Sequence, residues 1–386
     1  MMKKVILLTL IVFCFLSCSS KSDKIERIWE DGVEVIINHI EPYKIEGQLS
    51  ELILEEEFRI DTERDEMAEI GLGDIFCFDV DSEGSIYFRV LKNVECLLYK
   101  FDRHGNFIKC FGRKGQGPGE FQFGPLIAIN CEDKIVIKDT AKIVFFNKNG
   151  NFIKEIQKDF VRIRMFAPLK NGNYLAYSIE LVPDDPKIFD CTCLGLYDSE
   201  FNKIKEIGRI VATSPYIGKG MSGVREVVFM GVSESHFFAG NSQKGYEIGV
   251  YDLDGRLIRK IKKEYKPVPV TEEYKKSLLE PGGRTENNGS RYYFPKHMPP
   301  FQSLFTDDEG WLFVRTYEEK KAQEYTYDIF NPDGVFVARK SIEHFEIDIR
   351  GLPSPRCIKA KNNRLYCLRE KKSGYKELVV YKMRWE

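Results

Sequence analysis

Histidine is scarce in this chain, with five copies in 386 residues, and none of the cysteines falls in the paired CxxC pattern that holds structural zinc. No GxSxG nucleophile elbow is present, and the scattered Ser, His and Asp residues define no triad. An excess of charge is missing too, because 58 Lys and Arg face 59 Asp and Glu for a formal net charge of −1. With no basic block beside regularly spaced aromatics, nucleic acid is disfavoured as a partner. The apolar run Val5–Leu16 is too short to cross a bilayer as an ordinary helix.

What the chain does have is a repeat. FDRHGNFI at Phe101–Ile108, FNKNGNFI at Phe146–Ile153, YDLDGRLI at Tyr251–Ile258 and FNPDGVFV at Phe330–Val337 are copies of one strand–turn–strand unit. YDSEFNKI at Tyr197–Ile204 is a degenerate copy with Phe201 where the others carry Gly, so a different turn is expected there. A second turn precedes each copy: DSEGSIYF at Asp81, CEDKIVI at Cys131, KNGNYLAY at Lys170, SESHFFA at Ser233, DDEGWLFV at Asp307 and KNNRLYCL at Lys361. Asp/Asn turns ending in Gly permit positive φ and set hairpin register, and the residues after them alternate at period two. Six such units predict an all-β chain, a six-bladed β-propeller of four-stranded antiparallel blades. At 43% hydrophobic and 13% aromatic content the chain can fill the core this requires.

The last unit supplies three strands, around Pro355–Ala360, Arg364–Arg369 and Glu377–Lys382. Leu52–Ile60, an orphan strand before the first blade, is expected to complete it by pairing with Glu377–Lys382, which closes the ring and protects its edges. The competing arrangement is a detached hairpin with Val33–His39.

At the N-terminus Lys3 and Lys4, the apolar run and Ser17-Cys18 read as a bacterial export signal with lipidation at Cys18; plain secretion is the alternative. The expected organisation is a signal peptide over 1–17, a tether over 18–50 and the propeller over 51–386. Acylation would anchor the domain to a membrane from outside the cytoplasm, with the outer membrane as the expected location. Cys77, Cys96, Cys110, Cys131, Cys191, Cys193, Cys357 and Cys367 are expected as buried thiols ahead of any particular bridge.

The turns between strands one and two and between three and four emerge on one face and are uniformly tight. Long insertions fall on the other face, at Gly112–Gly124, Ile179–Asp190, Arg209–Arg225, Lys262–Met298 and Ser341–Leu352. That long-loop face is the expected working surface. GRKGQGPGEF at Gly112–Phe121 offers Arg113, Gln116 and Glu120, yet it lacks the Gly-Lys-Ser/Thr of a phosphate loop and no helix pattern follows it. Turning the chain, with Phe121 as a packing plug, competes with ligand contact. Lys262–Met298 carries a short helix capped by Thr271 and ending near Pro281-Gly282. The segment after it, with Arg291, Tyr292 and Tyr293, reads as a binding lip or as a lid.

The lipoprotein signal, the blade units and above all FDRHGNFIKCFGRKGQGPGEF at Phe101–Phe121 resemble the six-bladed propeller lipoproteins of Bacteroidetes, related by pattern to NHL-repeat propellers. The resemblance spans roughly Leu52 to Glu386 and implies a cell-envelope protein; propellers of this type include interaction domains as well as metal-dependent lactonases and lyases. The expected inner strands offer Asp74, Asp79, Arg162, Arg164, Glu226, Gln302 and Arg356, mixed in sign and without His. No cofactor or metal ligand is assigned from these residues, although a calcium site of carboxylates and carbonyls stays open. The reading is therefore a non-catalytic binding module whose partner is an envelope protein, a peptide or a glycan. Arg162, Arg164, Arg225 and Arg356 near the axis would suit an anionic ligand. The alternative is a calcium-type hydrolase or lyase acting on a sugar or lactone in the central channel.

Overall fold

At Asp102 the side-chain Oδ1 accepts the backbone N–H groups of His104 (2.8 Å) and Asn106 (2.9 Å), and Gly105 takes φ +85°. The same bonds recur at Asn147 and Asp252. These side chains replace backbone partners that a tight turn leaves open and so hold each hairpin in one register. In the last blade Asn362 and Asn363 supply both positive φ values, 54° and 56°, as a two-residue hairpin turn demands.

In the computed structural model the described residues are 25–386 apart from 45–46, 48, 91–94, 123–125, 159–162, 181–187, 214–220, 225, 227, 280–291, 322, 345–347, 350–351 and 354–356. Six antiparallel sheets form the ring, each running from an inner to an outer strand. Blade one spans Ile75–Val80 to Phe107–Phe111, blade two Leu126–Ile129 to Phe152–Gln157 and blade three Ile163–Pro168 to Lys203–Thr213. Blade four spans Val228–Val232 to Leu257–Lys263 and blade five Ser303–Thr306 to Phe336–Glu343. Blade six takes Ile358–Lys361, Arg364–Glu370 and Lys376–Trp385 from the end of the chain and Leu52–Asp61 from its beginning. Leu52 pairs with Trp385 and Asp61 with Glu377 in an antiparallel ladder, so the ring closes as expected.

The hairpin of Glu26–Glu30 and Val33–Asn38 lies elsewhere. Its second strand runs parallel to Leu257–Lys263 and extends blade four to six strands. Asn38 locks it in place: its Oδ1 accepts the Phe336 N–H at 2.7 Å, and its Nδ2 donates to the carbonyls of Lys262 (3.2 Å) and Gly334 (3.0 Å).

The core sits between the blades, where aromatic and branched residues of adjacent sheets interdigitate. On the tight-turn face the blades are also stitched by polar bonds. Ser82 binds Asp133, Asn362 binds both Ser82 and Asp308, and Glu234 binds Asp308. Nearer the axis Asp79 pairs with Lys359 of blade six and accepts the Ile129 N–H of blade two at 2.7 Å. One carboxylate thus ties three blades.

Three expectations need correcting. Phe201 does not change its turn: Asp198 Oδ1 accepts Glu200 and Asn202 N–H as in the Gly copies, with Phe201 itself at φ 57°. The strain is offset by packing, since its ring stacks on Tyr174 at 4.3 Å and meets Phe166 edge-on at 5.7 Å. Cys96 and Cys110 form a disulfide, whereas Cys77, Cys191, Cys193, Cys357 and Cys367 are buried thiols and Cys131 is exposed. Finally, Arg209–Thr213 is not link but the end of the blade-three outer strand.

Candidate functional site

A cavity of about 250 Å³ opens between blades four and five on the long-loop face. It is built where two strand ends of blade four meet the middle of two strands of blade five. Lys263 ends the outer strand of blade four, and Tyr246 precedes Glu247–Asp252, the third strand of that blade. Asp328 and Arg339 stand directly opposite each other on the third and outer strands of blade five. Ile40 and Glu41, just beyond the N-terminal hairpin, and Pro299 and Pro300, just before blade five, complete its walls.

The polar groups form one connected set. Asp328 Oδ1 accepts from Arg339 Nε at 2.8 Å, and its Oδ2 accepts from the Tyr246 hydroxyl at 2.9 Å and lies 3.4 Å from Lys263 Nζ. The Lys263 and Asp328 side chains are 2% and 1% exposed. Lys263 also donates to the Glu264 carbonyl at 3.0 Å and lies over the Phe336 ring, 4.5 Å from its centroid. Burial pushes the Lys263 ammonium below its usual range, and the Arg339 charge adds to this while Asp328 opposes it. Burial, aided by the Asp328 charge, drives the Tyr246 hydroxyl well above its usual range. Around the cavity Lys263, Arg339 and Lys266 face Asp328, Glu41 and Glu318, with Glu318 lying 3.7 Å from Arg339. A lining charged with both signs suits a polar ligand that offers an anionic group to the cations and hydroxyls to the carboxylates.

A second cluster lies in blade three. Glu180, Cys193 and Glu206, from three adjacent strands, bring ligand-type atoms within 4.8 Å of one another. This overturns the expectation that catalysis is the lesser reading, and the cluster was not visible in the sequence because its donors become neighbours only when the sheet forms. The donor set does not fit calcium, which takes six to eight oxygens, because a thiol is a soft donor; Lys203 and Arg209 sit against both carboxylates.

The residues singled out from the sequence are not gathered in one place. Arg113 and Gln116 are exposed, and Glu120 folds back to accept the Gly117 N–H at 3.0 Å. Phe121 is fully buried under the Arg89 guanidinium. Arg164 sits half-buried on the inner strand of blade three. Tyr292 and Tyr293 pair with Met221 and Ser222, joining the two longest links. The short helix is present at Glu272–Leu279, with Thr271 Oγ1 accepting the Tyr274 N–H at 3.1 Å. Cys18, Arg162, Arg225, Arg291 and Arg356 lie outside the described residues.

Sequence comparison adds a family match. The family described as DUF5128, a 6-bladed beta-propeller, matches residues 81–226. What matches is the propeller. Among curated proteins nothing matches. Among solved structures, a DUF4221 family member from Bacteroides vulgatus is similar at 11% identity and TM-score 0.49, covering 88% of this chain and 100% of that one. The XC5397 gluconolactonase of Xanthomonas campestris is similar at 9% and 0.39, covering 86% and 98%. Regucalcin of Agrobacterium tumefaciens, a calcium-binding protein, is similar at 10% and 0.38, covering 81% and 96%. Likeness at this level says nothing about chemistry. Among the described residues no helix is long and apolar enough to cross a membrane.

Proposed function

We propose that this chain is an exported, lipid-anchored propeller enzyme of the bacterial envelope, a hydrolase or lyase acting on a small sugar acid or lactone in the cavity between blades four and five. The observation that carries this reading is Lys263, a buried amine held beside Asp328 in the wall of a polar cavity. Titratable groups shifted by burial and gathered in a cavity are what acid–base chemistry requires. The axis is less suitable, because Asp79 is already committed to Lys359 and to the backbone of blade two.

The residues divide the work by their chemistry. Arg339 and Lys266 hold the anionic group of the substrate, and Tyr246, Tyr265 and Tyr317 offer flat walls to a ring. Glu41 and Glu318, also on the wall, accept hydroxyl hydrogens. Lys263, whose burial favours the uncharged amine, takes a proton, from the carbon beside a carboxylate in a lyase or from attacking water in a lactonase, while Asp328 and Tyr246 fix its position. The cavity lies below the roughly 300–1,000 Å³ common for drug-sized ligands, which points to a single ring. Export is supported by the disulfide at Cys96–Cys110, which needs an oxidising compartment, and by the lipidation pattern at Cys18.

The test is a turnover screen of the full chain against lactones and uronic acid saccharides, read by proton release and by the near-ultraviolet absorbance of an unsaturated product. Turnover lost in Lys263→Met and kept in Cys131→Ser supports the proposal. A panel that the wild type neither binds nor converts rejects it.

A further inference from the structure

Cys191 and Cys193 stand two apart on the third strand of blade three, so both point to one face of the sheet. Their sulfurs lie 3.6 Å apart, unbonded and fully buried. Glu180 pairs with Cys191 across one ladder, and Glu206, beside a bulge in the other ladder, pairs with Gly195 on the same side. The register therefore brings Cys193, Glu180 and Glu206 within 4.8 Å of one another, with the Cys191 sulfur next to that of Cys193 and Glu206 exposed to solvent.

We propose that Cys191, Cys193, Glu180 and Glu206 form a site for a thiophilic divalent cation of the zinc class, independent of the blade four–five cavity. Two sulfurs each about 2.3 Å from a tetrahedral zinc ion stand roughly 3.8 Å apart, close to the spacing found. The charges close as well. Two thiolates and two carboxylates carry four negative charges, the cation removes two, and Lys203 and Arg209, already in contact with both carboxylates, balance the remainder. Binding breaks two S–H bonds and forms two metal–sulfur bonds, and two protons leave to buffer. Because both ligand thiols give up their protons to the metal, affinity rises with pH.

The experiment titrates the full reduced chain with cobalt(II) and with zinc. One equivalent of cobalt producing thiolate charge-transfer absorption with about two protons released per metal bound, and the band lost when zinc displaces it, is the expected result. Cys193→Ser should abolish the absorption and Cys131→Ser should keep it. Because a buried serine can perturb folding, Glu206→Gln serves as a second variant: it should weaken zinc binding about tenfold or more while circular dichroism stays native. The proposal is overturned if no cobalt–thiolate band forms, if the band persists in Cys193→Ser, or if Glu206→Gln binds zinc like wild type.

Discussion

Tyr246 of blade four donates its hydroxyl to Asp328 of blade five at 2.9 Å, with both side chains buried. The bond crosses the seam between two blades and sets the carboxylate that Lys263 and Arg339 share. Asp328 is the hub of this group, so the consequences of removing its members differ.

Asp328→Asn takes from Lys263 the buried carboxylate beside it, leaving Arg339 only Glu318 at 3.7 Å, and should cost about 3–5 kcal/mol, as broken buried pairs do. Lys263→Met should cost less, because Arg339 still satisfies Asp328 at 2.8 Å. Urea unfolding of both variants measures the order. A costlier Lys263→Met would refute the hub role of Asp328.

Phe201 is held in a left-handed conformation by packing rather than by its own preference. Phe201→Gly removes the backbone strain of about 1 kcal/mol but loses a buried aromatic ring, so a net loss of about 2–3 kcal/mol is expected. Phe201→Ala keeps the strain and should cost more. Thermal melting that shows either variant at wild-type stability would contradict this account.

Asp307 gives the stability curve a defined slope. Burial, followed by the nearby Asp308 and Glu309 charges, pushes its carboxyl up to about 7 despite the bond from the Trp311 N–H. The folded pKa exceeds the unfolded one, so the folded state binds more protons between about pH 4 and 7. Its contribution is full below the unfolded pKa and is lost as pH rises through 7. Asp307→Asn should therefore stabilise the protein at pH 8 by about 4 kcal/mol, with the advantage fading by pH 4. Equal stabilisation at both pH values would contradict the assignment.

The Cys96–Cys110 bridge closes a separation of 14 residues, for which chain entropy gives about 3 kcal/mol. Reduction, or Cys110→Ser, should lower the melting temperature accordingly. No change on reduction would show the bridge to be energetically idle.

The fold was legible because its turns are local. An Asp or Asn accepting N–H groups two and four residues on leaves a short, repeated signature, and Leu52–Ile60 stands out as a strand without a blade. The Phe201 turn was misread because Asp198, and not the glycine, defines the motif. The bridge escaped notice because Cys96 and Cys110 meet only once blade one folds. The cavity residues come from separate strands and look ordinary singly. One signal was available: three residues before the turn Asp or Asn, the other repeats carry Tyr99, Val144, Gly195 and Gly249, and only the fifth blade puts a charge, Asp328, there. A carboxylate on a strand otherwise apolar or small at that point marks a site that must find its partner in another blade.

The most direct test is steady-state kinetics of wild type and Lys263→Met on whichever lactone or uronic acid substrate the screen returns, with folding checked by circular dichroism. Loss of the proton-transfer group predicts a fall in kcat of about 10²-fold or more with KM little changed, because Arg339 and Lys266 still hold the anion. A folded Lys263→Met variant with wild-type kcat would show that the chemistry lies elsewhere.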